Sequence, residues 1–74
     1  MSKKYVIVDD GMNDYPIIFP KYVDHGTFNN LNVVSAGFFD ICDGKIIAYG
    51  ESVSLKKQSN SEYDSKLLQK LLQE

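Results

Sequence analysis

The residues of this chain that could do chemistry are one histidine, one cysteine and a small group of aspartates. A hydrolase or transferase needs a nucleophile beside a base, or two carboxylates in contrasting environments. His25 as base and Cys42 as nucleophile would be one such pair. His25, however, lies in the loop-forming segment VDHGT, in which Asp24 and Thr27 are placed to satisfy its ring nitrogens. Because Cys42 merely flanks a hairpin turn, we predict structural roles for both residues, no catalytic site and no enzymatic activity.

The aspartates Asp9, Asp10 and Asp14 surround Gly11 in the segment DDGMND. A calcium loop of the EF-hand type needs acids at alternate positions and a distal glutamate, and this spacing supplies neither. We therefore interpret the segment as a solvated hairpin turn. A single cysteine excludes an internal disulfide and a cysteine-based zinc site. The sequence predicts no metal site and no cofactor.

Composition narrows the class of protein further. The 74 residues predict a single domain, residues 1–74, with a net charge of -2 and no arginine among its eight basic residues. A nucleic-acid-binding surface normally needs a basic face, and arginine is the favoured base-reading residue. The longest apolar run near the N-terminus is four residues, too short for a signal-peptide core or a membrane span. We expect a small acidic protein of the cytoplasm that binds neither nucleic acid nor membrane.

The elements that would position these residues begin with two short apolar runs. Residues 4–8 and 15–19 are rich in β-branched and aromatic side chains, and turn-forming residues separate them, so a hairpin with a loop of about six residues is predicted. Pro16 has no amide donor, which places it at the start of its strand or at a sheet edge. Residues 20–32 predict irregular structure with one or two helical turns.

The central segment VVSAGFFDICDGKIIAYG predicts a second hairpin. Asp43-Gly44 between strands 33–41 and 45–50 is typical of a two-residue type I′ turn. Counting from that turn gives a register, in which the pairs are Cys42–Lys45, Ile41–Ile46, Asp40–Ile47, Phe39–Ala48, Phe38–Tyr49 and Gly37–Gly50. Since side chains alternate between faces, Phe38 and Phe39 must point in opposite directions. Phe39 would lie on a wholly apolar face, and Phe38 with Tyr49 on the other.

The C-terminal third changes from strand to helix periodicity. Residues 51–55 alternate between apolar and polar side chains and predict a further, half-exposed strand. Ser59 with Glu62 has the spacing of a capping box, and a helix over residues 60–73 follows. Its apolar stripe, Tyr63, Leu67, Leu68, Leu71 and Leu72, recurs at helical spacing. The predicted fold is α+β, with a four- or five-stranded, mainly antiparallel sheet and a C-terminal amphipathic helix packed on one face.

Four segments, YPIIFPKYVDH, VVSAGFFDI, YGESVSL and SNSEYDSKLL, resemble in order a pattern found in small uncharacterised proteins of phages and prophages. That pattern has Pro-Ile-x-Phe-Pro, Ser-Ala-Gly-Phe, Tyr-Gly-x-Ser-x-Ser-Leu and a Ser-x-x-Glu-Asp helix start. This chain departs from the last motif, because Tyr63 separates Glu62 from Asp64. No activity and no site residue come with the resemblance. It implies a setting, the bacterial host cytoplasm, in which small phage proteins often bind and disable host machinery, including defence systems.

Two kinds of function remain from this reasoning. The first is a non-enzymatic protein that binds another protein, possible targets being a bacterial defence or regulatory complex. Its candidate surfaces are Phe38 with Tyr49, which the helix would either cover or leave as a contact patch on the opposite face, and the acidic loop of Asp9, Asp10 and Asp14. The second is a homo-oligomeric structural or assembly component, such as a homodimer, with a helix seam of Leu67, Leu68, Leu71 and Leu72.

Overall fold

The computed structural model describes residues 3–73 and contains a four-stranded antiparallel sheet. Its strands are β1 (Lys3–Asp9), β2 (Asp14–Phe19), β3 (Val33–Cys42) and β4 (Lys45–Tyr49). Their order across the sheet is β2-β1-β3-β4, so β1 and β3 are central and β2 and β4 are the edges. One α-helix within the described residues, α1 (Ser61–Gln73), follows and packs on one face. The predicted α+β fold class is confirmed.

Between β4 and α1 the chain forms a small separate hairpin in place of the predicted strand over 51–55. Its strands are β5 (Glu51–Ser52) and β6 (Lys57–Gln58), and they pair only with each other. Gly50, with a φ of 80°, turns the chain out of the main sheet, and residues 53–56 make the hairpin turn. The alternation of residues 51–55 is therefore interrupted by a turn, in which Val53 is exposed and Leu55 packs inward.

The β3–β4 hairpin has the predicted register from Cys42–Lys45 to Phe38–Tyr49. Asp43 and Gly44 have φ values of 51° and 78°, the two left-handed conformations that a type I′ turn requires. The predicted Gly37–Gly50 pair does not form, because the ladder ends at Tyr49. Gly37 instead allows close approach of β4, since a Cβ there would overlap the carbonyl oxygen of Tyr49.

The sheet has an apolar cluster on each face. On the helix face, side chains from three strands pack against Leu68 and Leu67 of α1; the buried ones are Tyr5, Ile7, Phe39, Ile46 and Ala48. The opposite face is covered at one end by residues 20–32, including a short 3₁₀ helix, His25–Phe28. Its buried members are Val6, Val8, Phe19, Val33 and Ala36, with Val23, Phe28 and Leu55 packed over them. Phe39 is fully buried in the first cluster, as the alternation predicts.

The start of α1 differs from the predicted Ser59–Glu62 capping box. Asn60 precedes the helix, and the Asp64 carboxylate accepts the Asn60 backbone N–H at 2.9 Å. The same fully buried carboxylate accepts the hydroxyls of Tyr5, at 2.5 Å, and Ser35, at 2.8 Å. Burial, and then the bond to Asp64, raise the pKa of Tyr5 well above its ordinary value of 10.0. The helix therefore begins where a buried carboxylate joins it to β1 and β3.

Both edges of the sheet are protected from pairing with another strand. On β4, the outward N–H of Ala48 donates to Ser65 Oγ at 2.9 Å and that of Ile46 to Gln69 Oε1 at 3.1 Å. On β2, the Asp10 N–H bonds the Asn13 carbonyl, and hydrogen-bonded residue pairs with β1 then recur at every second position. Pro16 falls between two such pairs, so its backbone nitrogen faces away from β1. Proline has no N–H to offer there, so neither edge presents a continuous row of donors.

Candidate functional site

The candidate site is the part of the sheet face opposite α1 that residues 20–32 do not cover. It is formed by β3 and β4 near their turn and consists of Phe38, Asp40, Ile47 and Tyr49, here called the aromatic patch. Tyr49 is 37% exposed and Ile47 is 51% exposed, while Phe38 and Asp40 are half-buried. The Phe38 and Tyr49 rings stack with their centroids 6.2 Å apart. Side chains of this type are typical anchors of protein interfaces.

Asp40 gives the patch a charge. Its Oδ2 accepts the Tyr49 hydroxyl at 3.2 Å. Its Oδ1 is shielded from solvent and has no hydrogen-bond partner within residues 3–73. Buried carboxylate oxygens are normally bonded, because an unsatisfied acceptor loses its hydration without replacement. The patch therefore combines flat apolar surface with an acceptor that the described chain does not satisfy.

His25 supports the patch from beneath. Its ring is buried, its Nε2 lies 3.0 Å from the Gly37 carbonyl oxygen, and it meets Phe38 edge to face with centroids 5.5 Å apart. On its other side it meets Phe19 in the same way, at 5.1 Å. The expected contacts to Asp24 and Thr27 are replaced by this bond to Gly37. His25 is thus a packing residue that fixes the orientation of Phe38.

Asp24 instead joins the 3₁₀ helix to the turn of the β5–β6 hairpin. Its carboxylate accepts the Gly26 N–H at 3.2 Å and the Ser54 hydroxyl at 3.1 Å. These two bonds, the first more than the second, hold the pKa of Asp24 below its ordinary value of 3.8. Residues 20–32, which cover the second apolar cluster, are therefore held in place by a hydrogen bond from Ser54, thirty residues further along the chain.

Cys42 is exposed at the end of β3 and does not meet His25. Cys42 lies four residues beyond Phe38, the residue of β3 that contacts His25. Because a strand rises about 3.3 Å per residue, the Cα atoms of Phe38 and Cys42 are roughly 13 Å apart. Within residues 3–73, no group of three or more histidine, cysteine, aspartate or glutamate side chains is arranged to hold a metal ion. The structure thus does not bring the Cys42 thiol beside the His25 ring.

The acidic loop uses its aspartates to build its own turn. Asp9 accepts the Gly11 N–H at 2.8 Å, and Asp10 accepts the N–H groups of Asn13 and Met12. The bond to Asn13, followed by that to Met12, lowers the pKa of Asp10 from its ordinary value of 3.8. The loop spans residues 10–13, shorter than the predicted six, because Asp9 and Asp14 still pair.

Asp14 links the acidic loop to the helix. It accepts the Tyr63 hydroxyl at 2.7 Å, which raises the pKa of Tyr63. The three acids predicted as a second binding surface thus lie together at one end of the sheet, each with a hydrogen bond of its own. They carry negative charge but leave no carboxylate there with a shielded, unused oxygen.

The four leucines proposed as a seam separate into two pairs. Leu68 is fully buried and Leu67 half-buried against the sheet. Leu71 and Leu72 are 41% and 48% exposed, at the end of α1. A subunit seam would therefore have to be built on Leu71 and Leu72.

Sequence reasoning named Phe38 and Tyr49 but not Asp40 and Ile47 as members of the patch. The signal was present in the register, which places Asp40 opposite Ile47 on the face of Phe38. What alternation cannot show is how far residues 20–32 extend over that face. That extent determines which side chains remain exposed.

No protein-family model, curated protein or solved structure matches this chain. Among the described residues, no helix is both long enough and apolar enough to cross a membrane.

Proposed function

We propose that this protein binds another protein through the aromatic patch and acts without catalysis. The observation that carries the proposal is the position of the patch. Both edges of the sheet are protected, α1 covers most of one face and residues 20–32 cover the other up to Phe38, yet Tyr49 and Ile47 remain exposed side by side. Aromatic and aliphatic side chains held on a rigid hairpin lose little conformational freedom when a partner covers them.

The setting proposed for this binding is the cytoplasm of a bacterial host, where the exposed thiol of Cys42 stays reduced. The resemblance to small phage proteins supports inhibition of a host defence or regulatory complex as the purpose. A binding module needs no reactive group, which agrees with the separation of His25 from Cys42. The acidic loop is a second surface, able to meet a basic region of the same partner.

Affinity capture from bacterial lysate tests the proposal, with Tyr49→Ala as the decisive variant. A partner that uses the patch is expected at stoichiometric yield with the natural sequence and at about tenfold lower yield with Tyr49→Ala, since interface tyrosines are frequent hot spots. Tyr22→Ala is the matched control, because Tyr22 is 85% exposed in the loop outside the patch. Both variants must first show the far-UV spectrum and unfolding midpoint of the parent. Equal capture by Tyr49→Ala and Tyr22→Ala would remove the patch as the binding surface.

Self-assembly is the second candidate function, and exposed Leu71 and Leu72 favour it. A homo-oligomer built on them would gain mass as the concentration rises, and Leu72→Ser would return it to a monomer. Capture experiments would then recover only the protein itself. Solution mass therefore separates the two candidates without any knowledge of the partner.

A further inference from the structure

We infer that the aromatic patch receives an arginine side chain of the partner protein, with the guanidinium paired to Asp40 and its plane against the Tyr49 ring. This inference rests on the proposed function and names the chemistry of the partner. Its starting point is the Asp40 carboxylate, of which Oδ2 is bonded to Tyr49 and Oδ1 is shielded without a partner in residues 3–73. Because Asp40 is half-buried, a turn of its carboxylate about χ2 presents this oxygen to a donor in the complex, and the carboxylate gains from the new bond.

The surroundings of Asp40 favour a guanidinium over an ammonium group. Arginine is planar, is weakly hydrated and stacks on aromatic faces, and its fork of donors fits a carboxylate bidentately. Tyr49 supplies the ring and Ile47 the apolar surface for the methylene stem. Lysine carries a compact, strongly hydrated charge, so burying it against Ile47 and Tyr49 removes more hydration and returns fewer hydrogen bonds.

The described chain has no cation of its own at this position. Lys4, which faces Phe38 from β1, donates its Nζ to the Val23 carbonyl at 2.9 Å. Lys45 pairs with Cys42 nearer the turn, and within residues 3–73 Asp40 is in no ion pair. The sequence contains no arginine, so a second copy of the chain cannot supply the guanidinium. The occupant is therefore a different protein.

Three blocked tripeptides that differ only at the central residue test the inference directly. Gly-Arg-Gly, Gly-Lys-Gly and Gly-citrulline-Gly, each acetylated and amidated, are titrated into the full chain while its backbone amide resonances are followed. The arginine peptide is expected to shift the resonances of residues 38, 40, 47 and 49 with a Kd about tenfold below those of the other two peptides, because only it offers a charged planar fork.

Two isosteric variants complete the test. Asp40→Asn is expected to weaken the arginine peptide about tenfold, through loss of the charge-assisted bonds. Asp43→Asn removes an exposed acid from the adjacent turn and should bind like the parent, because asparagine also adopts the left-handed conformation found there. The inference is overturned if citrulline or lysine binds as well as arginine, if Asp40→Asn binds as tightly as the parent, or if the shifts centre on Asp9 and Asp10.

The same variants keep the two proposals apart once a partner is captured. Loss of that partner with Tyr49→Ala but not with Asp40→Asn would leave the patch as the binding surface and refute the arginine pairing. Full retention with Tyr49→Ala would refute the patch itself. Loss with both variants, together with a partner arginine whose change to lysine weakens binding about tenfold, supports the pairing.

Discussion

Asp64 receives hydrogen bonds from three separate parts of the chain. Tyr5 lies on β1, Ser35 on β3, and the Asn60 N–H at the start of α1. All three donors meet a side chain with no solvent exposure. A buried carboxylate is stable only while its hydrogen-bond donors are present. The buried donors in turn are left unsatisfied if the carboxylate is removed.

Asp64→Ala is therefore expected to lower the free energy of unfolding by about 3 kcal/mol, since it leaves the buried hydroxyls of Tyr5 and Ser35, and the partly buried Asn60 N–H, without an acceptor. Urea unfolding, with the slope m unchanged, measures the difference. Glu62→Ala is the matched control in the same helical turn. Its side chain is exposed and 3.6 Å from Lys66, so a change within about 0.5 kcal/mol is expected. A change that small for Asp64→Ala would contradict a structural role for the buried network.

Tyr5 makes the same network sensitive to alkaline pH. Its pKa is raised in the folded chain above the ordinary value of 10.0, by burial first and by Asp64 second. The folded chain therefore releases this proton less readily than the unfolded chain, and the stabilisation is complete below pH 10 and is lost as the pH rises above it.

Tyr5→Phe is expected to reduce the fall in the free energy of unfolding above pH 10. At neutral pH it should lower that free energy by about 1 kcal/mol, the net value of one hydrogen bond. Unfolding midpoints across an alkaline pH series measure both effects. Tyr22→Phe, at an exposed position, should keep the parent slope. If the Tyr5→Phe variant retained the full alkaline loss, another group would have to be responsible for it.

At the scale of elements, α1 does more than cover a face of the sheet. Ser61, Ser65 and Gln69 recur every four residues and bond the outer edge of β4; Ser61 Oγ donates to the Ala48 carbonyl at 2.6 Å. Gln69 also donates to the Gly44 carbonyl at 3.2 Å, so the helix holds the β3–β4 turn that carries the patch. This polar stripe replaces the neighbouring strand that β4 lacks.

The double variant Ser65→Ala, Gln69→Ala is expected to lower the free energy of unfolding by about 2 kcal/mol, mainly through the two bonds lost at Ala48 and Ile46, because the third bond, to Gly44, is exposed. It should also speed amide exchange at Ile46 and Ala48. Hydrogen exchange followed by NMR resolves those two positions. Lys70→Ala, on the exposed side of the same helix, should leave both rates at the parent value. Unchanged exchange in the double variant would mean that β4 does not depend on the helix for protection.

The elements that were predictable from sequence are those whose determinants lie close together in the chain. Asp43-Gly44 fixes the β3–β4 register because a type I′ turn needs two adjacent left-handed residues. The helix was predicted to within one residue of its start at Ser61, but the Ser59–Glu62 capping box was wrong, because Asp64 owes its role there to Tyr5 and Ser35, which are distant in sequence. The strand over 51–55 was wrong because Lys56, at a φ of 56°, adopts a turn conformation unusual for its residue type.

At the scale of the whole molecule, the placement of residues 20–32 determines what the sheet can bind. They cover Val6, Phe19 and Ala36 and stop at Phe38, so the patch is the uncovered remainder of one face. Local sequence patterns predict both faces of each strand but not the path of an irregular segment across them. For this reason Phe38 and Tyr49 were predictable as candidates, whereas the boundary of the patch was not.

The distribution of apolar surface leads us to expect a monomer in solution. A stable dimer buries about 800 Å² on each partner, and Leu71 with Leu72, both about half-exposed, can supply only a small part of that area. Strand pairing between copies is opposed on one edge by Pro16 and on the other by the α1 side chains that bond Ala48 and Ile46.

Sedimentation over a hundredfold range of concentration, roughly the span that reveals micromolar association, should give the mass of one 8.4 kDa chain throughout. The double variant Leu71→Ser, Leu72→Ser should give the same mass, because these residues hold no second chain. A mass that rises with concentration in the parent but not in this variant would instead assign the protein to self-assembly and make the end of α1 its working surface.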